Sequence, residues 1–152
     1  MKKLQVTISV RRLPYNYTCD GEDISPMIGI EGVDKETTCM ALVMLDANSP
    51  GGGGLAHWLI WNIDPATMIP EAIKKEPVIT FPFSAVQGTN DLGNIGYSGP
   101  CPPQAETHRY DIMVYGLDSL LDLGPGAKKV DLLKAMEGHI VQYGRTDVVY
   151  GR

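Results

Sequence analysis

Glycine and proline interrupt this chain too often for a bundle of helices. There are 17 Gly and 11 Pro among 152 residues, against a usual combined share of about 12%. Inside a helix each Gly costs about 1 kcal/mol and each Pro about 3 kcal/mol relative to Ala. The excess stays below the ~25–30% at which low complexity sets in, so it reads as fixed turns between short strands. The distribution sharpens this: five of the 28 fall in Pro50–Gly54 and seven in Gly88–Pro103. Between the breaks lie strand patterns. Leu4, Val6, Ile8 and Val10 alternate with polar residues, as a half-buried strand requires. Cys39–Leu45 is a continuous apolar run of the length of a strand buried on both faces, and His57–Ile63 and Val78–Phe83 are further strand candidates. Arg109–Leu117 carries Tyr110, Ile112 and Val114 on one side. A largely antiparallel β architecture follows, expected as one domain over residues 1–152.

One segment breaks the pattern. From Lys128 to Tyr143, Val130, Leu133, Met136 and Ile140 recur at helical spacing, which predicts an amphipathic helix with Gly138 inside it. Residues 66–76 suggest at most a short helical turn, because Pro65, Pro70 and Pro77 divide them. The net charge of −5 lacks the basic excess of a nucleic-acid-binding face and gives no general hold on anionic membranes. The three cysteines, Cys19, Cys39 and Cys101, form no C-x-x-C pair, so neither a zinc site nor a disulfide framework is expected. Met1-Lys2-Lys3-Leu4 leads directly into strand pattern without the apolar stretch of a signal peptide, and no apolar run approaches ~20 residues. These features predict a soluble cytoplasmic protein in a reducing compartment, without integral membrane association.

Chemistry concentrates in the two Gly/Pro-rich segments, each of which leads to a histidine at a strand start. Asp46-Ala47-Asn48-Ser49-Pro50 and four glycines precede His57-Trp58. Asn90-Asp91-Leu92-Gly93 and Gly96-Tyr97-Ser98-Gly99-Pro100-Cys101-Pro102-Pro103, then Gln104 to Thr107, precede His108-Arg109-Tyr110. Imidazoles beside glycine-rich backbone with free N–H groups suit an anion site, and a carboxylate such as Asp46 orients a ring and raises its pKa. Other chemistries fit less well. His57, His108 and Asp46 have no metal-ligand spacing, and Gly51–Gly54 lacks the Lys-Ser/Thr end of a phosphate-binding loop. Gly96-Tyr97-Ser98-Gly99-Pro100 misses the last glycine of a nucleophile elbow. No metal or cofactor is expected, and His139 reads as an ordinary helix residue.

These segments resemble the phosphatidylethanolamine-binding protein family, in its prokaryotic Raf kinase inhibitor-like branch. Gly88-Thr89-Asn90-Asp91-Leu92-Gly93, Gly96–Pro103 and His108-Arg109-Tyr110 carry the likeness. Tyr17–Glu22 with Ser25-Pro26, His57-Trp58 with Asn62-Ile63, and Ala135-Met136 with Gly138-His139-Ile140 follow in the family's order. The resemblance implies a mainly β fold: a β-sandwich with a large central antiparallel sheet, a smaller sheet, and one or two helices near the C-terminus. It implies an anion pocket built from Asp46, Pro50, His57, Gly99, Pro100, Cys101, Pro103, His108 and Tyr110. There Asp46 would orient His57, while the Gly99 and Cys101 amides would donate to the anion and Asn90 and Asp91 would brace the loop. Asp46–Pro50 departs from the family's D-P-D-x-P pattern at Ala47 and Asn48, and Ala105 stands where many relatives have Gly.

The function implied is non-enzymatic binding of phosphate or a small phosphorylated ligand. Alternatives from other classes are a regulator that inhibits a serine protease or kinase pathway through the 47–54 loop, and a phosphate-ester hydrolase with His57 as acid or base. A homodimer is expected from the same branch, and no nucleic-acid partner.

Overall fold

The computed structural model describes residues 2–51 and 53–152. Their strands are β1 (Lys2–Lys3), β2 (Gln5–Thr7), β3 (Ile28–Glu31), β4 (Cys39–Asp46) and β5 (Leu55–Ile63). They continue with β6 (Met68–Ile69), β7 (Val78–Ile79), β8 (Ala85–Gln87), β9 (Thr107–Leu117) and β10 (Ile140–Gly151), with one α-helix, α1 (Lys129–Met136), before the last and a 3-10 turn at Tyr15–Tyr17. Seven strands form a large sheet in the order β1-β10-β9-β4-β5-β8-β7, and β2-β3-β6 form a small one. This is the sandwich that the resemblance implies, with one correction: β1 runs parallel to β10, so the large sheet is mixed rather than purely antiparallel.

The apolar run of β4 is explained by what lies on each side of the large sheet. Successive side chains of a strand point to opposite faces. Met40, Leu42 and Met44 enter the core between the sheets with Ile28, Ile30, Ile60, Tyr110 and Ile112. Cys39, Ala41 and Val43 pack on the other face with Leu59, Trp61, Leu117, and Leu132 and Met136 of α1. Both faces are dry, so the strand shows no polar alternation. β9 shows the one-sided version, with Tyr110, Ile112 and Val114 buried between the sheets.

The predicted helix is half as long as its periodicity suggested. α1 ends at Met136, and Gly138 at φ 81° turns the chain, a left-handed conformation that glycine adopts without steric cost. Ile140 then opens β10. Val130 and Leu133 are exposed, and Leu132 and Met136 are the buried pair. The helical spacing runs on across a turn into a strand. The N-terminal strand is likewise shorter than its alternation implied: Ile8 and Val10 pack against the core from outside any strand. No helix among the described residues is long and apolar enough to cross a membrane.

Candidate functional site

β9, β4 and β5 are neighbours in the large sheet, and their ends bring together the residues singled out in the two loops. Asp46 closes β4, paired to Leu55 on one side and Tyr110 on the other. His57 lies near the start of β5 and His108 near the start of β9. They line a cavity of about 280 Å³ together with Asn48, Pro50, Cys101, Pro103 and Glu106.

His57 reaches this cavity through a bulge. Trp58 pairs with Met44 and Ala56 with Leu45, so His57 is the extra residue between them. Bulges re-aim side chains. Leu59 and Trp61, two and four residues on, pack under α1, whereas the His57 ring meets Tyr110 of the inter-sheet core edge-on, with centroids 5.4 Å apart. Tyr110 therefore lies behind both histidines, 6.4 Å from the His108 ring, and not on the cavity wall. Its hydroxyl is buried without a hydrogen-bond partner among the described residues, and burial pushes its pKa well up.

The two imidazoles are held differently. His57 Nδ1 lies 2.6 Å from the Ser98 carbonyl oxygen. A carbonyl only accepts, so Nδ1 carries the proton, and Nε2 is the ring atom left for a ligand. Burial lowers the pKa of His57, outweighing its hydrogen bond to Ser98. The neutral ring thus presents a lone pair at Nε2. His108 has a carboxylate on each nitrogen: Asp46 Oδ2 at 2.7 Å from Nδ1 and Glu106 Oε1 at 2.8 Å from Nε2. Only the imidazolium donates from both nitrogens. The hydrogen bond to Asp46, then that to Glu106, accordingly raises its pKa.

Asp46 therefore orients His108, not His57 as expected. Its other oxygen accepts the Asn48 amide at 2.9 Å, so both oxygens face protein donors. Asn48 in turn accepts the Arg109 amide at 2.6 Å, joining the first loop to β9.

A family model described as phosphatidylethanolamine-binding protein matches residues 5–151. The chain belongs to that family. It is 45% identical over 141 residues to the UPF0098 protein PH1269 of Pyrococcus horikoshii, covering 92% of this chain and 71% of that one. It is 44% identical to the UPF0098 protein of Methanothermobacter thermautotrophicus over 93% of this chain and 91% of that one. Among solved structures it resembles the phosphatidylethanolamine-binding protein homologue CT736 of Chlamydia trachomatis, with a TM-score of 0.87 and 32% identity over 100% of this chain and 99% of that one. The E. coli protein YBCL, a member of the mammalian PEBP family, matches with a TM-score of 0.88 and 25% identity over 99% of each chain.

Within the family signature, the second loop departs from expectation. The Gly99 amide donates to Asp23 Oδ1 at 2.6 Å, which removes it from the expected anion contacts. Gly99 is required sterically, since a Cβ there would collide with the Tyr17 carbonyl oxygen. Pro100 is buried behind the wall, where its carbonyl accepts the Cys19 amide at 3.2 Å. Asn90 is the expected brace: its Oδ1 accepts the Leu92 and Asn94 amides, and its Nδ2 donates to the Gly96 carbonyl and to Ser98 Oγ. Asp91 Oδ2 accepts the Ala56 amide at 2.7 Å and ties the loop to β5. Ala105 has φ 70°, a left-handed position at which a glycine would be unstrained.

Cys19 and Cys101 form a disulfide with a Cα–Cα distance of 5.5 Å, contrary to the expectation of none. Nothing in their spacing announces it, because the partners stand 82 residues apart. The bond also removes the ground for assigning a reducing compartment. Cys39 remains a buried free thiol. Of the Gly51–Gly54 run, Gly52 lies outside the described residues. Gly53 and Gly54 are held through their carbonyl oxygens by Lys129 Nζ of α1, at 2.8 and 2.9 Å.

Sequence reasoning missed Ser98 and Glu106, the partners that set the two ring states. Glu106 had an available signal: it precedes His108 by two residues, and the strand period of two puts such residues on one side.

Proposed function

We propose that the cavity between His57 and His108 binds a phosphate-type anion, free or carried on a small phosphorylated molecule, and that the protein acts as a non-enzymatic binding protein. The observation that carries this reading is the pairing of unlike histidines on one small cavity. The His108 imidazolium offers an N–H to an anionic oxygen. The His57 lone pair accepts from an acidic P–OH, or takes up that proton and then donates. The monoanion of a phosphate ester, with its second pKa near 6, carries both partners. The cavity lies at the lower end of the usual range for ligand pockets, which suits a small ligand or one phosphorylated head group. Pro50 and Pro103 stiffen the rim, lowering the ordering cost of binding. Two neighbouring groups of nucleophilic type are disarmed. Cys101 sulfur is tied to Cys19, and burial keeps the Tyr110 hydroxyl protonated.

The test is an NMR titration of the imidazole signals with inorganic phosphate and, separately, with phosphoethanolamine. Both His57 and His108 signals should move with one saturating isotherm, and His57→Ala should abolish it. Signals that stay fixed at millimolar concentrations of both ligands refute the reading. Movement with the ester alone identifies a phosphorylated molecule rather than free phosphate.

A further inference from the structure

The anion position on His108 is already occupied by the protein itself. We propose that the Glu106 carboxylate is a resident occupant of that position, and that a ligand binds by displacing it. This rests on the reading of the cavity as an anion site.

Nδ1 of His108 is committed to Asp46, so Nε2 is its one ring donor available to the cavity, and Glu106 Oε1 lies 2.8 Å from it. The two carboxylates on the ring are not equivalent. The Asp46 side chain is 7% exposed and is further bonded to the Asn48 amide, whereas the Glu106 side chain is 55% exposed. Asp46 is therefore fixed and Glu106 is free to swing into solvent. The backbone at Glu106 is anchored, with its amide donating to the Pro103 carbonyl at 3.1 Å and its carbonyl accepting the Arg152 amide at 3.2 Å. Only the side chain has to move. It extends from a fixed Cα at the cavity wall and returns to the ring when the ligand leaves. A half-exposed ion pair is a weak competitor, so the plug sets a threshold against weakly held anions without closing the pocket.

Phosphate affinity should be compared in the full chain for wild type, Glu106→Ala and Glu106→Asp. The aspartate keeps the charge at the rim but is one methylene short of the ring. Displacement of a resident carboxylate requires both variants to bind inorganic phosphate more tightly, by about three- to tenfold. It also requires the His108 imidazole to titrate at lower pH in both, a change visible without any ligand. If Glu106→Ala alone gains affinity, the effect is through-space charge and the plug is refuted. Equal or weaker binding in both variants, with wild type binding normally, refutes the plug and leaves the anion site standing. Failure of all three proteins to bind phosphate or phosphoethanolamine overturns the anion site and the plug with it.

Discussion

Replacing Cys19 and Cys101 by serine should destabilise the fold strongly while leaving the pocket nearly intact. The bond closes a segment of 82 residues, and on the chain-entropy account such a cross-link removes about 4.5 kcal/mol of disorder from the unfolded chain at 25 °C. On the native side its loss changes little, because other bonds hold the same crossing. The Cys19 amide donates to the Pro100 carbonyl at 3.2 Å, Tyr97 Oη to the Tyr17 carbonyl at 2.6 Å, and the Gly99 amide to Asp23 at 2.6 Å. Asp20 is additionally paired to Arg152 at 3.1 Å. With a urea dependence of about 2 kcal/mol/M, the loss corresponds to a midpoint lowered by about 2 M. Urea unfolding of wild type and the double variant measures this directly. Thiol titration verifies the covalent state first. Cys39 is buried and its pKa is pushed up to about 11 by that burial, so native protein should react slowly and denatured, unreduced protein should show one thiol per chain. Three thiols in denaturant, or a midpoint shift below about 0.5 M, would falsify the cross-link or its entropic origin respectively. Phosphate binding should change less than about twofold. A folded variant that has lost binding would show that the covalent bond, not the hydrogen bonds, shapes the wall.

Three further predictions concern the histidines and their brace. Asn90 is fully buried and serves two amides, a carbonyl and a hydroxyl, so Asn90→Ala should cost about 3–5 kcal/mol by stranding buried polar groups; a loss under about 1 kcal/mol in denaturant unfolding refutes that account. In ligand-free protein His108 should titrate above the ordinary value of 6.5 and His57 below it, and the reverse order in an NMR titration refutes the assignment of ring partners. The linkage has opposite signs for the two. The stability from the His108 imidazolium is complete below pH 6.5 and is lost as pH rises through its folded pKa. For His57, which the fold keeps neutral, stability is lost as pH falls from 6.5 through its depressed folded value. The difference in unfolding free energy between wild type and His108→Gln should accordingly shrink above pH 6.5.

The sheet was legible where both periodicity and burial were extreme. Cys39–Leu45 has the length of a strand buried on both faces, and Tyr110, Ile112 and Val114 marked the inward side of β9. Legibility failed where one pattern ran through a turn. Ile140 fits the helical spacing of Leu133 and Met136, and only the left-handed Gly138 separates helix from strand. The short strands β3, β6 and β8 were not singled out, because two to four residues carry too little pattern to count. At the site, residue identities were readable and their pairing was not. Asp46 stands eleven residues from His57 and 62 from His108, and the ring it holds is the distant one. The deciding geometry is the cross-strand register Asp46↔Tyr110 together with the bulge at His57, both set by long-range pairing.

That pairing determines what the two rings do. Each histidine has its Nδ1 hydrogen taken by an acceptor, a carbonyl for His57 and a carboxylate for His108. A carbonyl fixes the ring's orientation but does not offset the desolvation of a second proton, so His57 stays neutral. A carboxylate fixes the orientation and compensates the charge, so His108 keeps its second proton even though it is buried. The unlike states follow from the acceptor behind each ring rather than from the rings themselves. Had Asp46 faced His57 with only a carbonyl behind His108, the charge on His108 would rest on Glu106 alone. The one-residue bulge in β5 and the two-residue step from Glu106 to His108 therefore define the chemistry of the pocket as much as the histidines do.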